Sequence, residues 1–165
     1  MAAQRWMIAV WPGSAGIEAT EGRVAVKVSE CSRKAPVTVA RRCSLAEAAQ
    51  LMEHHDVGAL LVVANGRLVG IATDRDLVVR GLAKRLDPDT PISEVMTTDV
   101  TTVQGSEDVT EALKILREVR FRRLPVLDGD TVSGIITVDD LLVTLVVELA
   151  AVAAPIAAAV VERPV

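Results

Sequence analysis

The sequence of 165 residues is poor in aromatic side chains, with no tyrosine, one phenylalanine and two tryptophans. The core must therefore be built from valine, leucine, isoleucine and alanine, and aromatic platforms for stacking nucleic-acid bases are scarce. The chain also has no excess of positive charge, and its formal net charge is −4. This balance argues against general nucleic-acid binding, which needs a basic surface.

Cysteine and histidine are equally scarce, with two residues of each. Cys31 and Cys43 provide neither a disulfide framework nor a complete set of metal ligands, so we expect reduced thiols in a cytoplasmic protein. His54 and His55 fall at the predicted end of a helix, where cationic side chains interact favourably with the helix dipole. No nucleophile has a suitable base, and no Walker-type phosphate loop is present. We therefore predict no enzymatic activity, no bound metal and no required cofactor.

Long apolar runs are few. Trp6–Trp11 is too short for the apolar region of a secretory signal, so we expect no leader peptide. Leu141–Val161 has about the length of a membrane span, but Glu148 interrupts it and we expect Pro155 to break it. We predict a buried terminal helix that covers the core or a dimer partner, and no membrane anchor.

The chain contains an internal repeat. Residues 28–79 align with residues 92–143 at a constant offset of 64 without a gap, and 14 of the 52 positions are identical. Unrelated segments would match at roughly one position in fifteen, so the alignment indicates two copies of one supersecondary unit. Each copy is too small to bury its own apolar face. The two should therefore pack together and leave equivalent clefts between them.

Each copy has the pattern strand, helix, strand, strand, helix, which predicts an α/β fold. Capping-box patterns begin the first helix of each copy, at Ser44 with Glu47 and at Asp108 with Glu111. Asn65-Gly66 between two apolar runs is typical of a type I′ turn, and Asp128-Gly129 is the turn predicted in the second copy. The predicted ranges are an N-terminal extension at 1–25, which we expect to be disordered, repeats at 26–86 and 87–150, and an apolar tail at 151–165.

The third strand of each copy ends in the same pattern, Gly70-Ile71-Ala72-Thr73-Asp74-Arg75-Asp76 and Gly134-Ile135-Ile136-Thr137-Val138-Asp139-Asp140. A helix begins after each threonine, and the free N–H groups at a helix start favour phosphate. The final aspartate is suited to a ribose diol, and the glycine leaves space for a flat base. Thr-x-x-Asp is also a common helix cap. Its occurrence in both copies favours ligand binding over capping alone.

With these motifs, Val95-Met96-Thr97 and Phe121-Arg122-Arg123-Leu124-Pro125-Val126 make the chain resemble the tandem cystathionine-beta-synthase (CBS) domain family. The pair is also called a Bateman module, and the resemblance covers about residues 26–150. The segment 54–60, followed by Thr73-Asp74-Arg75-Asp76, is similar to small stand-alone bacterial members, including mycobacterial hypoxic-response proteins.

The resemblance implies an adenosine-containing ligand in the clefts between the repeats, with AMP, ADP, ATP, NAD and S-adenosylmethionine as candidates. The implied contacts are ribose hydroxyls at Asp76 and Asp140, phosphate at Thr73, Thr137, Arg122 and Arg123, and adenine at the main chain around Val37, Thr38, Val100 and Thr101.

The two copies differ in charge. The positions that match the Arg122–Arg123 pair in the first repeat are Gly58 and Ala59, which are uncharged. An arginine pair can neutralise a phosphate through bidentate hydrogen bonds. The other cleft would lack this help unless Arg75 or Lys34 reaches it. We therefore predict unequal sites, one suited to a nucleotide and one weak, empty or adapted to an uncharged group.

The sequence thus favours a non-catalytic, ligand-dependent regulator that forms a homodimer and acts on an unknown, separate effector protein. We also expect a connection with a stress response. Two alternatives remain open. One is an interaction module whose nucleotide sites have decayed. The other is nucleic-acid binding through a basic cluster at Arg117, Arg120, Arg122 and Arg123, which the net charge disfavours.

Overall fold

The computed structural model describes residues 26–31, 35–118 and 122–161. The predicted extension at 1–25 lies outside these residues. The strands are β1 Thr38–Ala40, β2 Ala59–Ala64, β3 Arg67–Thr73, β4 Val103–Gln104, β5 Arg123–Asp128 and β6 Thr131–Thr137. The α-helices are α1 Val28–Cys31, α2 Leu45–His55, α3 Asp74–Asp76, α4 Val109–Glu118 and α5 Val138–Val161. A short π-helix covers Leu77–Gly81, and short 3₁₀ helices cover Leu82–Lys84 and Ile92–Glu94.

The strands form one six-stranded sheet in the order β1-β2-β3-β6-β5-β4. Within each repeat the first strand is parallel to the second, and the second is antiparallel to the third. The two halves meet where β3 and β6 pair, with Arg67 opposite Thr131. The predicted α/β fold and its internal repeat are therefore confirmed, and the strand ends of both repeats lie on one continuous sheet.

The two hairpin turns differ. Asn65 and Gly66 both have positive φ, 51° and 76°, which is the type I′ geometry predicted from the sequence. In the second repeat β5 extends through Asp128, so the turn residues are Gly129 and Asp130. Gly129 has φ 60° and takes the first central position, where a II′-type turn needs glycine. The predicted Asp128-Gly129 turn is therefore displaced by one residue.

The helix caps also differ between repeats. Ser44 and Glu47 form the predicted capping box at the start of α2. Before α4, the carboxylate of Asp108 instead accepts hydrogen bonds from the backbone N–H and the hydroxyl of Thr110. Glu111 pairs with Lys114 at 2.9 Å. The aspartate carboxylate thus satisfies the backbone N–H of its second neighbour at the start of this helix.

Two apolar cores lie within the sheet halves, and each takes a segment from outside its own repeat. The core of the first repeat contains Ile92 and Val95, from the start of the second repeat. The core of the second repeat contains Val28 and Cys31 of α1, all four side chains being fully buried. These segments occupy matching positions 64 residues apart. The packing therefore crosses the boundary predicted between residues 86 and 87 and joins the repeats into one unit.

Helix α5 continues through Pro155 to Val161, so the prediction that proline would break it is wrong. The many alanines around the proline are the strongest helix formers, which offsets the missing backbone N–H. Only the start of the helix packs into the core: Leu141 is buried, whereas Leu142 and Val146 are 55% and 64% exposed. Among the described residues no helix is both long and apolar enough for a membrane span.

Candidate functional site

The Thr-x-x-Asp pattern forms a helix cap at the end of β3. The backbone N–H and the hydroxyl of Thr73 both donate to Oδ2 of Asp76, at 2.9 and 2.7 Å. The N–H of Asp76 donates in return to the Thr73 hydroxyl at 3.2 Å. Thr137 and Asp140 repeat this arrangement at 2.9, 2.6 and 3.1 Å.

This cap limits what each residue can offer to a ligand. The hydroxyl proton of each threonine is used by its own aspartate, so the hydroxyl is not a free donor for phosphate. Oδ2 of each aspartate already accepts two hydrogen bonds. Oδ1 of Asp76 and of Asp140 is the better placed acceptor for a ribose hydroxyl. Capping and ligand binding are thus compatible, because they use different oxygens of one carboxylate.

The first cleft is a cavity of about 450 Å³ beside Thr73 and Asp76. Both repeats line it, because Val100 and Thr101 come from the segment that leads to β4. Its charged residues are four arginines and three aspartates: Arg75, Arg80, Arg122, Arg123, Asp74, Asp76 and Asp99. The formal balance is positive, which suits an anionic ligand.

The second cleft is a cavity of about 230 Å³ beside Thr137 and Asp140. Val37 and Gly58 contribute to its wall from the first repeat. Its charged residues are Arg123, Asp56 and Asp140. The formal balance is negative, opposite to that of the first cleft. The clefts are therefore related by the repeat but unequal in size and charge.

The predicted site residues divide between these clefts. The first brings together Thr73, Arg75, Asp76, Val100, Thr101, Arg122 and Arg123. The second brings together Val37, Thr137 and Asp140, again with Arg123. Thr38 lines neither of them, because it lies on the exposed face of β1 while its neighbour Val39 points into the core. Arg75 lies in the first cleft only, and Lys34 and Arg120 lie outside the described residues.

The two residues of the arginine pair, Arg122 and Arg123, take different positions relative to the clefts. Arg122 lines the first cleft and lies 3.5 Å from Asp139, with both side chains more than 70% exposed. Arg123 lines both clefts. A Cβ atom built on Gly58 would lie 2.7 Å from Nη2 of Arg123 and 2.9 Å from Oδ2 of Asp74. The missing side chain at position 58 thus makes room for the guanidinium between the clefts.

Arg80 is a cleft residue that the motif analysis missed. Its Nε lies 3.4 Å from Oδ1 of Asp76, and its Nη1 donates to the Val95 carbonyl at 2.9 Å and the Thr97 hydroxyl at 3.1 Å. Its position four residues after Asp76 on the same helical face was the available signal. The matching residue in the second repeat is Thr144, which is uncharged.

Gly70 has a different role from the one expected. A Cβ atom at this position would lie 2.5 Å from Sδ of Met96 and 3.1 Å from the Thr97 carbonyl oxygen. The glycine therefore makes room for the first residues of the second repeat, which also bond to β3 through Ile71 and Thr97. It does not line either cleft, so it leaves no space there for a base.

A comparison with protein families finds the same two repeats that the sheet and the clefts show. The model of the CBS domain matches residues 28–81 and 92–147, more than half of the chain. The chain belongs to the CBS domain family. This CBS pair is similar to the CBS domain-containing protein YhcV of Bacillus subtilis, with 39% identity over 106 residues, 64% of this chain and 76% of the relative. It is also similar to Hypoxic response protein 1 of Mycobacterium tuberculosis, with 38% identity over 100 residues, 59% of this chain and 70% of the relative.

Solved CBS structures confirm the fold. Hypoxic Response Protein I with two coordinated zinc ions has 33% identity and a TM-score of 0.65, covering 71% of this chain and 97% of that one. The CBS domain pair of protein MJ0100, in complex with 5-methylthioadenosine and S-adenosyl-L-methionine, has 28% identity and a TM-score of 0.67. That match covers 75% of this chain and 98% of the MJ0100 chain. In the part of the chain described here, no three metal-ligating side chains come together.

Proposed function

We propose that this CBS pair is a regulatory module that binds an adenine nucleotide in the first cleft and thereby acts on a separate partner protein. The observation that carries the proposal is the group of four arginines around a cavity that also holds Asp76. Guanidinium groups bind phosphate through charge-assisted hydrogen bonds, and the aspartate offers an acceptor for ribose. The adenosine compounds bound to MJ0100 support this ligand class.

The second cleft is the weaker site in this proposal. Its volume of about 230 Å³ is below the range of roughly 300–1,000 Å³ usual for small-molecule pockets, whereas the first cleft lies within it. Its carboxylates outnumber its one arginine. An uncharged adenosine group suits it better than a nucleotide, unless Arg123 turns towards it.

Regulation requires that the ligand bind two arrangements of the protein with different affinity. We propose that the second arrangement concerns a homodimer, because Val78, Val79 and Leu82 and the described apolar side chains of α5 beyond Leu141 are exposed. A structurally similar CBS-CP12 protein is hexameric. No catalytic step is part of this function. A connection with a stress response has the support of the mycobacterial relative's name alone.

Isothermal titration of the full chain with AMP, ADP, ATP, NAD and S-adenosylmethionine tests the proposal. We expect saturable binding of a nucleotide that is strongly weakened in Asp76→Ala and less affected in Asp140→Ala. Asp130→Ala, which removes only an exposed partner of Arg67, is the matched control. Absence of binding by folded, nucleotide-free protein would contradict the proposal and favour an interaction module with decayed sites. Salt-sensitive binding of RNA or DNA would instead favour the nucleic-acid alternative.

A further inference from the structure

Arg123 stands at the boundary of the two clefts. It is the first residue of β5, where it pairs with Thr137 of the second cleft. Its side chain lines the wall of both cavities. Among the described lining residues of the second cleft it is the one cation, whereas the first cleft also holds three other arginines.

The sequence explains why this arginine is unmatched. Its counterpart in the first repeat is Ala59, so the repeat does not supply a second guanidinium at the boundary. The neighbouring Gly58 has no side chain to separate Arg123 from Asp74. Because the arginine side chain is long and carries several donors on one planar group, it can bind an anion on either side of this opening.

We infer that the two clefts share Arg123, so that an anionic ligand in one cleft weakens the binding of an anionic ligand in the other. The inference rests on the proposed function, since it requires a nucleotide in the first cleft. It adds that binding in one cleft changes the affinity of the other. A phosphate that binds Arg123 from the first cleft leaves the second with Asp56 and Asp140 uncompensated. Linkage makes the effect reciprocal. Adenosine, which has no phosphate, does not need Arg123 and is not coupled in this way.

The test compares AMP binding by the full chain in wild type and in Asp76→Ala, which disables the first cleft. We expect the second cleft to bind AMP about tenfold or more tightly in Asp76→Ala than in wild type with the first cleft filled, the range expected for one charge-assisted hydrogen bond. In the Arg123→Ala background both clefts should bind AMP more weakly, and the difference should disappear. With adenosine as the probe, the second cleft should show the same affinity in wild type and Asp76→Ala.

Arg122→Ala is the matched control, because Arg122 lines the first cleft but not the second. It should weaken AMP binding at the first cleft and preserve the coupling. Equal affinity of the second cleft in wild type and Asp76→Ala would overturn the inference. The inference would also be overturned if Asp76→Ala did not bind AMP at all. In that case, binding of AMP at one site of the wild type would still support the proposed function. No AMP binding by folded wild type would contradict that function itself.

Discussion

The guanidinium of Arg80 joins the carboxylate of Asp76 to the start of the second repeat. One nitrogen lies 3.4 Å from Oδ1 of Asp76, and another donates to the carbonyl of Val95 and the hydroxyl of Thr97. A ribose hydroxyl that binds Oδ1 must therefore share it with Arg80. The second repeat has the uncharged Thr144 in the matching position. Of the two described clefts, therefore, only the first has this connection.

Replacing Arg80 by methionine should destabilise the protein. The change removes a charged donor from a part-buried backbone carbonyl but keeps much of the apolar stem. We expect the free energy of unfolding to fall by about 1 kcal/mol, because the side chain is partly exposed and solvent screens the pairing. Urea denaturation followed by circular dichroism measures the change. Arg67→Met is the control, since Arg67 pairs with Asp130 where both side chains are more than 70% exposed. An equal midpoint shift in both variants would show that Arg80 has no special role.

Gly70→Ala should be more damaging than an ordinary glycine substitution. The new methyl group would lie 3.1 Å from the backbone oxygen of Thr97, which is held by the ladder to Ile71 and cannot move freely. We expect a loss of about 1–3 kcal/mol in the free energy of unfolding, the usual cost of overpacking. Gly105→Ala is the control, because its nearest neighbour, Cβ of Ser29, is 3.4 Å away. Thermal denaturation of both variants measures the difference, and equal losses would contradict the prediction.

Sequence reasoning identified the α/β unit and the two Thr-x-x-Asp motifs because both rest on local patterns that recur 64 residues apart. The apolar run before Asn65-Gly66 predicted β2, and Ser44 with Glu47 predicted the start of α2 and the cap that the structure shows. Such features depend on a few neighbouring residues. They can therefore be predicted from the sequence without knowledge of the tertiary contacts.

The features that sequence reasoning missed depend on contacts across the chain. The repeat places α1 at the start of the first copy, but Val28 packs in the core of the second. The pattern that made Arg123 one of a pair gave no sign that it borders both clefts, since that depends on Gly58, 65 residues earlier. Arg80 stands outside the repeated motif, so comparison of identical positions passed over it.

The capping box at α2 predicts a pH-dependent contribution to stability. The hydrogen bond from the Ser44 backbone N–H, followed by that from its hydroxyl, holds the pKa of Glu47 below the reference value of 4.5. The native state thus favours the ionised carboxylate. Its contribution is fully present above about pH 4.5 and is lost as the pH falls through the lower, folded pKa.

Glu47→Gln should therefore be less stable than wild type at neutral pH. The difference should shrink as the pH falls below 4.5 and through the lower, folded pKa of Glu47, until the carboxyl is protonated in both states. Chemical denaturation at a series of pH values measures this difference. Glu53→Gln, an exposed change on the same helix, is the control for the removal of one negative charge. A difference that stays constant across the series would show that the Glu47 carboxylate does not contribute through its ionised form.

The exposed apolar side chains beyond the cores predict self-association. Leu82 is 74% exposed and Leu149 is 70% exposed, although leucine gains about 25 cal/mol for each Å² of apolar surface removed from water. We expect wild type to sediment as a dimer and the double variant Leu82→Glu/Leu149→Glu to sediment as a monomer, because a carboxylate buried without a partner opposes association. Lys84→Glu, an exposed change beside Leu82, controls for added negative charge and should remain dimeric. A wild-type protein that is monomeric at micromolar concentration would contradict the prediction. A monomeric double variant that still binds nucleotide would show that the first cleft is complete within one chain.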